Sequence, residues 1–246
     1  GLFMFLLFRR RSFFTVLFFC VFVVAAGFFM VLHNQPATSP TLSWVLAEKT
    51  FLVDPGHGGT FPGRVNEDKV LEKDINLDIA LKLDTFLEET GAKVVMTRRA
   101  DTDLIPQESQ EEKLLLQQRA DLEQRIQMGK AAQADYFISI HCNSIPNEKW
   151  CGAQVFYNPT DPESKTLAQA IQQVLTQQLG EHEREALPRE DTYLFKNATV
   201  PTVIVECGFL SNKEEATKLQ DPAYQQKLAW CIYLGINNYL SAQNPQ

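Results

Sequence analysis

From residue 50 onward, short apolar runs alternate with segments of helical period, and this alternation limits the fold more than any other feature of the chain. TFLVD (50–54), KVVMT (93–97), YFISI (136–140), AQVFY (153–157) and TVIVE (202–206) read as strands. Each is apolar almost throughout, the pattern of a strand buried on both faces rather than one with a wet side. Between the strands, Leu71, Ile75, Ile79, Leu83 and Leu87 recur every four residues ahead of Gly91, a helix face followed by a glycine stop. Residues 108–133 are charged and helical, with Leu115, Leu122 and Ile126 on one side. Leu167, Ile171, Val174, Leu175 and Leu179 make a third helix closed by Gly180; Tyr224, Leu228, Cys231, Ile232, Gly235 and Tyr239 make the last. The expected fold is α/β: a mostly parallel, open, twisted sheet with helices on both faces.

One N-terminal hydrophobic helix is expected ahead of this fold. Phe13–Leu32 is a run of 20 residues without charge, preceded by Arg9, Arg10 and Arg11. A helix of that length spans about 30 Å, the thickness of a bilayer core, and the leading arginines predict an outward-facing remainder. The expectation is a signal-anchor over 1–33, with a cleaved signal peptide as the alternative. A polar, proline-bearing linker over 34–49 and one catalytic domain over 50–242 follow, the latter exported to the outer side of the membrane. Those three arginines are the only charges in 1–34, which leaves 20 basic and 30 acidic residues to the rest. An acidic domain argues against a nucleic-acid partner. Cys142, Cys151, Cys207 and Cys231 contain no CxxC pair and read as buried small side chains, with a Cys142–Cys207 bridge as the alternative if their strands are neighbours.

Ligands of open α/β sheets bind beyond the carboxyl ends of the strands. Three strands deliver a chemically capable residue there: TFLVD runs into PGHGG and His57, YFISI into His141, and TVIV into Glu206, while Glu72 opens the helix after the first strand. Two imidazoles and a carboxylate leave the fourth tetrahedral position of a zinc ion to water, and a further carboxylate beside that water moves protons. Taken singly, each residue also has an ordinary reading: a loop histidine, a carboxylate favouring a helix dipole, a strand-end histidine. Glu206 resists this most, because a carboxylate ending a buried strand needs a partner or a function.

DPGHGG, EKDINLDIALKL, ISIHCNS and PTVIVECGFLSN together resemble the zinc-dependent N-acetylmuramoyl-L-alanine amidases of the amidase-3 type, over roughly residues 50–240. Within that family the chain is most similar to the germination-specific members of endospore-forming bacteria. The resemblance implies one Zn2+ held by His57, Glu72 and His141, with Glu206 as the catalytic acid–base. It implies hydrolysis of the amide between N-acetylmuramic acid and L-alanine in peptidoglycan, in the spore cortex. Arg125 and Asp135 fit a spacing common in the family. Arg189, Lys196 and Asn143 are candidates for contact with the stem peptide and glycan, and an accessory protein is a candidate partner. The alternatives are another zinc cell-wall peptidase, which would cut a different amide, and a catalytically silent wall-binding module, which would be expected to have lost a ligand or Glu206.

Overall fold

The computed structural model describes residues 44–105, 114–180 and 184–243. The segment expected as anchor or signal peptide lies outside them, and among the described residues no helix is long and apolar enough to cross a membrane. The elements run α1 (Trp44–Ala47), β1 (Thr50–Pro55), α2 (Glu72–Glu89), β2 (Lys93–Met96), α3 (Leu114–Ala132), β3 (Tyr136–Asn143), β4 (Gln154–Tyr157), α4 (Pro162–Leu179), β5 (Leu187–Pro188), α5 (Tyr193–Asn197), β6 (Thr202–Phe209), α6 (Lys213–Leu219) and α7 (Pro222–Gln243). They form one six-stranded sheet of order β2-β1-β3-β6-β4-β5. The β2–β1, β1–β3 and β3–β6 pairs are parallel, as is β4–β5; β4 runs antiparallel to β6, so the sheet is mixed.

The apolar runs are continuous because both faces are covered. Phe51 and Val53 enter a large cluster with Ile79, Leu83, Ile171 and Ile232 from α2, α4 and α7. Leu52, between them, enters a smaller cluster with Ile126 of α3, Phe137, Ile204 and Leu194 of α5. Each fully buried Leu or Ile contributes about 1.5–3 kcal/mol. The core also reaches into the stretch expected as linker, since Leu46 of α1 is fully buried in the large cluster.

Gly235 explains how closely α7 approaches α4. A Cβ there would lie 2.4 Å from the Ile171 Cα and 2.9 Å from its backbone nitrogen, neither of which moves without moving the helix. Overpacking costs about 1–3 kcal/mol, which outweighs the ~1 kcal/mol gain in helix propensity. Gly235→Ala is therefore expected to lower the melting temperature by several degrees; an unchanged or higher value would mean the two helices separate freely.

β3 and β6 each extend past the residues expected to end them, to Asn143 and Phe209, so His141 and Glu206 lie within strands and pair directly across the sheet. Cys142 and Cys207 sit on the opposite face, inside the large apolar cluster, and are not bridged, which corrects the alternative of a disulfide. Burial pushes both thiols up, so they stay protonated.

Candidate functional site

β1 leads through α2 to β2 on one side, while β3 lies on its other side. This divergence opens a crevice at the carboxyl edge between β1 and β3, the place where open α/β sheets bind ligands. His57 follows β1 and His141 is on β3. Glu72, first residue of α2, reaches between them: its Oε1 lies 3.2 Å from His57 Nε2 and 3.1 Å from His141 Nδ1. The two rings meet edge to face with centroids 5.0 Å apart. One donor atom from each of the three residues falls within 4.8 Å of the others.

The Glu72 carboxylate is well supported. The backbone N–H of Cys142 donates to Oε1 at 3.1 Å, Asn76 Nδ2 donates to the same atom at 3.3 Å, and the Arg64 N–H donates to Oε2 at 2.8 Å. Burial opposes its ionisation, but the hydrogen bonds and charges of His141 and His57 outweigh burial and hold the carboxyl below its ordinary range. Burial likewise opposes charge on His141, yet the Glu72 hydrogen bond and the nearby Glu72, Glu206 and Asp54 charges raise its pKa.

The backbone is shaped to fit these rings. His57 has φ 63°, the left-handed region that a non-glycine residue rarely occupies. Gly56 carries no side chain because the His141 ring lies against it: a Cβ there would be 2.2 Å from His141 Cε1 and 2.3 Å from Nε2.

Glu206 faces the same crevice from β6. Its Oε2 is buried and has no hydrogen-bond partner among the described residues. Burial raises its pKa; His141 and Arg189 pull it back and the Glu72 charge pushes it up, with a net rise. Arg189 Nη1 stands 3.8 Å from Glu206 Oε1, too long for a hydrogen bond, and its guanidinium stacks 3.9 Å from the centroid of Phe156. Two lobes of a groove, of about 330 and 480 Å3, meet here and share His57, His141, Arg189 and Glu206. Asn143 lines the second lobe. Lys196, in α5, is exposed and lines neither lobe.

Sequence reasoning missed Asn76 and Arg98 and gave Arg125 no role. Asn76 is fully buried and donates to the Gly56 carbonyl at 3.1 Å as well as to Glu72. Its place one helical turn after Glu72 was the available signal. Arg125, also buried, pairs with Asp54 and Asp121 beneath the first lobe. Asp54 in turn accepts from Ser139 Oγ at 2.6 Å and Thr97 Oγ1 at 2.7 Å.

The donor set fits zinc. Two imidazole nitrogens and a carboxylate oxygen converge, the carboxylate is oriented by further hydrogen bonds, and a second buried carboxyl, with one oxygen unpartnered among the described residues, stands beside them.

Residues 51–238 match the family model described as N-acetylmuramoyl-L-alanine amidase. The chain is 43 % identical over 197 residues to the germination-specific N-acetylmuramoyl-L-alanine amidase of Bacillus subtilis, covering 80 % of this chain and 81 % of that protein. It is 33 % identical to the amidase LytC of the same organism, over 86 % of this chain but 40 % of LytC. Among solved structures it resembles the CwlD amidase of Clostridioides difficile, solved in complex with the GerS lipoprotein. That match has a TM-score of 0.75 and 41 % identity, over 79 % of this chain and 99 % of that chain. With the matched model spanning well over half its length, the chain belongs to the amidase-3 family of N-acetylmuramoyl-L-alanine amidases.

Proposed function

We propose that this amidase is a zinc enzyme that cleaves the bond between N-acetylmuramic acid and the L-alanine of stem peptides in spore cortex peptidoglycan. His57, Glu72 and His141 would hold the metal, and Glu206 would be the acid–base. The observation that carries the assignment is the convergence of those three donors beside a buried Glu206 whose Oε2 has no partner among the described residues. When bound, zinc supplies Lewis acidity, polarising an amide carbonyl and making water a nucleophile near neutral pH.

The chain's own residues do the rest. Glu206 Oε2 accepts the proton of the attacking water. The same carboxyl, with its pKa raised by burial, then delivers that proton to the leaving nitrogen of L-alanine as the amide C–N bond breaks. Arg189, fixed on the Phe156 ring and facing both lobes, offers its N–H groups to a stem-peptide carboxylate. Asn143 is placed to donate to substrate from the second lobe. Lys196, away from the groove, has no comparable claim.

The cortex role draws on the name of the B. subtilis relative, and an accessory lipoprotein partner draws on the CwlD–GerS complex. Both fit an exported domain held at the membrane through residues 1–33. Family membership favours this reading over an endopeptidase, a carboxypeptidase or a silent wall-binding module.

The test is metal content measured with product identity. Purified protein is expected to carry about one zinc per chain and, with cortex peptidoglycan, to release peptides with a new N-terminal alanine. New ends at any other residue would instead mark a peptidase. A protein that takes up no zinc under any loading condition would overturn the metal assignment.

A further inference from the structure

We propose that Arg98 and Arg125 are positioning residues that fix the direction in which His57 leaves the backbone, along its Cα–Cβ bond, by clamping the two peptide planes on either side of it; this rests on the reading of His57 as a zinc ligand. Three successive carbonyls, those of Pro55, Gly56 and His57, accept hydrogen bonds from these two guanidinium groups. Arg98 donates through Nε to Pro55 at 3.0 Å and through Nη2 to Gly56 at 3.1 Å. Arg125 donates through Nη1 to Pro55 at 3.2 Å and through Nη2 to His57 at 2.9 Å.

The Gly56 carbonyl belongs to the peptide plane entering His57, and the His57 carbonyl to the plane leaving it. With both planes fixed, φ and ψ of His57 are fixed, and so is the direction of its Cα–Cβ bond. This matters because the loop would not hold that shape unaided. His57 is in the left-handed region, and Gly58 and Gly59 follow at φ 136° and 53°. A side chain in the left-handed region is disfavoured by about 1–2 kcal/mol, and flanking glycines leave many other conformations open.

Both clamps are anchored in rigid structure. Arg98 lies just beyond β2 and also donates through Nη2 to the Lys73 carbonyl in α2 at 2.7 Å. Arg125 projects from α3 and is held through Nε by Asp121 at 2.7 Å and through Nη1 by Asp54. Loop carbonyls usually turn to water. Here two like charges are buried around one turn instead, and burial together with the Arg125 charge presses the Arg98 pKa down. Asp54, Asp101 and Asp74 offset that repulsion in part. A planar fork satisfies two carbonyls at fixed angles, which a lysine ammonium does not.

The test compares Arg98→Lys, Arg125→Lys and Gly235→Ala with the wild type in the full chain. Zinc affinity is read by chelator competition, and melting temperature is read on the metal-free protein. Both lysine variants are expected to lose about 10–100-fold in zinc affinity, the usual effect of removing an outer-shell partner. Gly235→Ala, whose added Cβ meets Ile171 of α4 and none of the loop's donors, is expected to lower the melting temperature but keep zinc affinity within about threefold. Lysine variants that bind zinc like the wild type overturn the proposal, as does a Gly235→Ala loss matching that of Arg125→Lys. If Arg125→Lys does not fold, Arg98→Lys decides; if neither folds, the arginines are scaffold and the proposal fails. A wild type that binds no zinc would instead count against the metal assignment itself.

Discussion

Glu206→Gln is expected to lower turnover by about 10²–10⁴-fold while leaving about one zinc bound per chain. The amide has the shape of the carboxylate, so packing on β6 and the cross-strand pairing with His141 persist. The change removes the basic oxygen pair and with it the ability to take a proton from water and return it to the leaving amine. Nothing structural depends on the atom that changes most: Oε2 has no hydrogen-bond partner among the described residues, and Arg189 is 3.8 Å from Oε1. His57→Ala makes the useful contrast, because it would lose zinc and turnover together. Parallel zinc analysis and rate measurement on peptidoglycan separate the two effects. A Glu206→Gln protein with near-normal turnover would transfer the acid–base role to another group. A loss of zinc equal to that of His57→Ala would make Glu206 part of the metal's own support.

The division between what was legible in the sequence and what was not follows the range of the interactions. β1, β3 and β6 announce themselves because strands buried on both faces are continuous apolar runs, and the residues following or ending them stand out against that background. His57, His141 and Glu206 were singled out this way, and Glu72 by its place at a helix start. Strand direction leaves no such trace. AQVFY reads the same whether parallel or antiparallel, and only the structure makes β4 antiparallel to β6. The two-residue β5, Leu187–Pro188, is too short to carry a period. Arg98 and Arg125 were illegible as clamps because their partners lie about 40 and 70 positions away, at Gly56 and His57. An arginine after a strand or in a charged helix looks like any solvated residue until the sheet brings the turn to it. Arg189 and Lys196 show the same limit. Both are cations in the segment before β6, yet one stacks on Phe156 in the groove and the other points to solvent.

Asp54→Asn is expected to destabilise the fold by about 3–5 kcal/mol at neutral pH, a fall in melting temperature of about 10 °C. Asp54 is 2 % exposed and is the acceptor on which Arg125, Ser139 and Thr97 converge. Replacing it leaves Arg125 buried with Asp121 as its remaining carboxylate partner, and asks two hydroxyls to share one amide oxygen. The effect also has a pH signature. Burial resists ionisation of Asp54, but the Arg125 charge and the two hydroxyl hydrogen bonds more than offset it, so the folded-state pKa lies below the ordinary value. In the unfolded chain an aspartate titrates near ~3.9. Between the two values the unfolded state binds more protons, so stability rises with pH there. The contribution of Asp54 is therefore complete above the unfolded pKa and is lost as pH falls through the folded one. Glu72 titrates in the same direction, so the wild-type curve alone does not isolate Asp54; the difference between wild type and Asp54→Asn does. Urea unfolding of both proteins from pH 7 down to about pH 3 is expected to give a gap that narrows with acidification. A gap that stays constant would place the cost of the substitution in packing rather than charge, and a gap below about 1 kcal/mol at pH 7 would mean that Arg125 finds adequate compensation without Asp54.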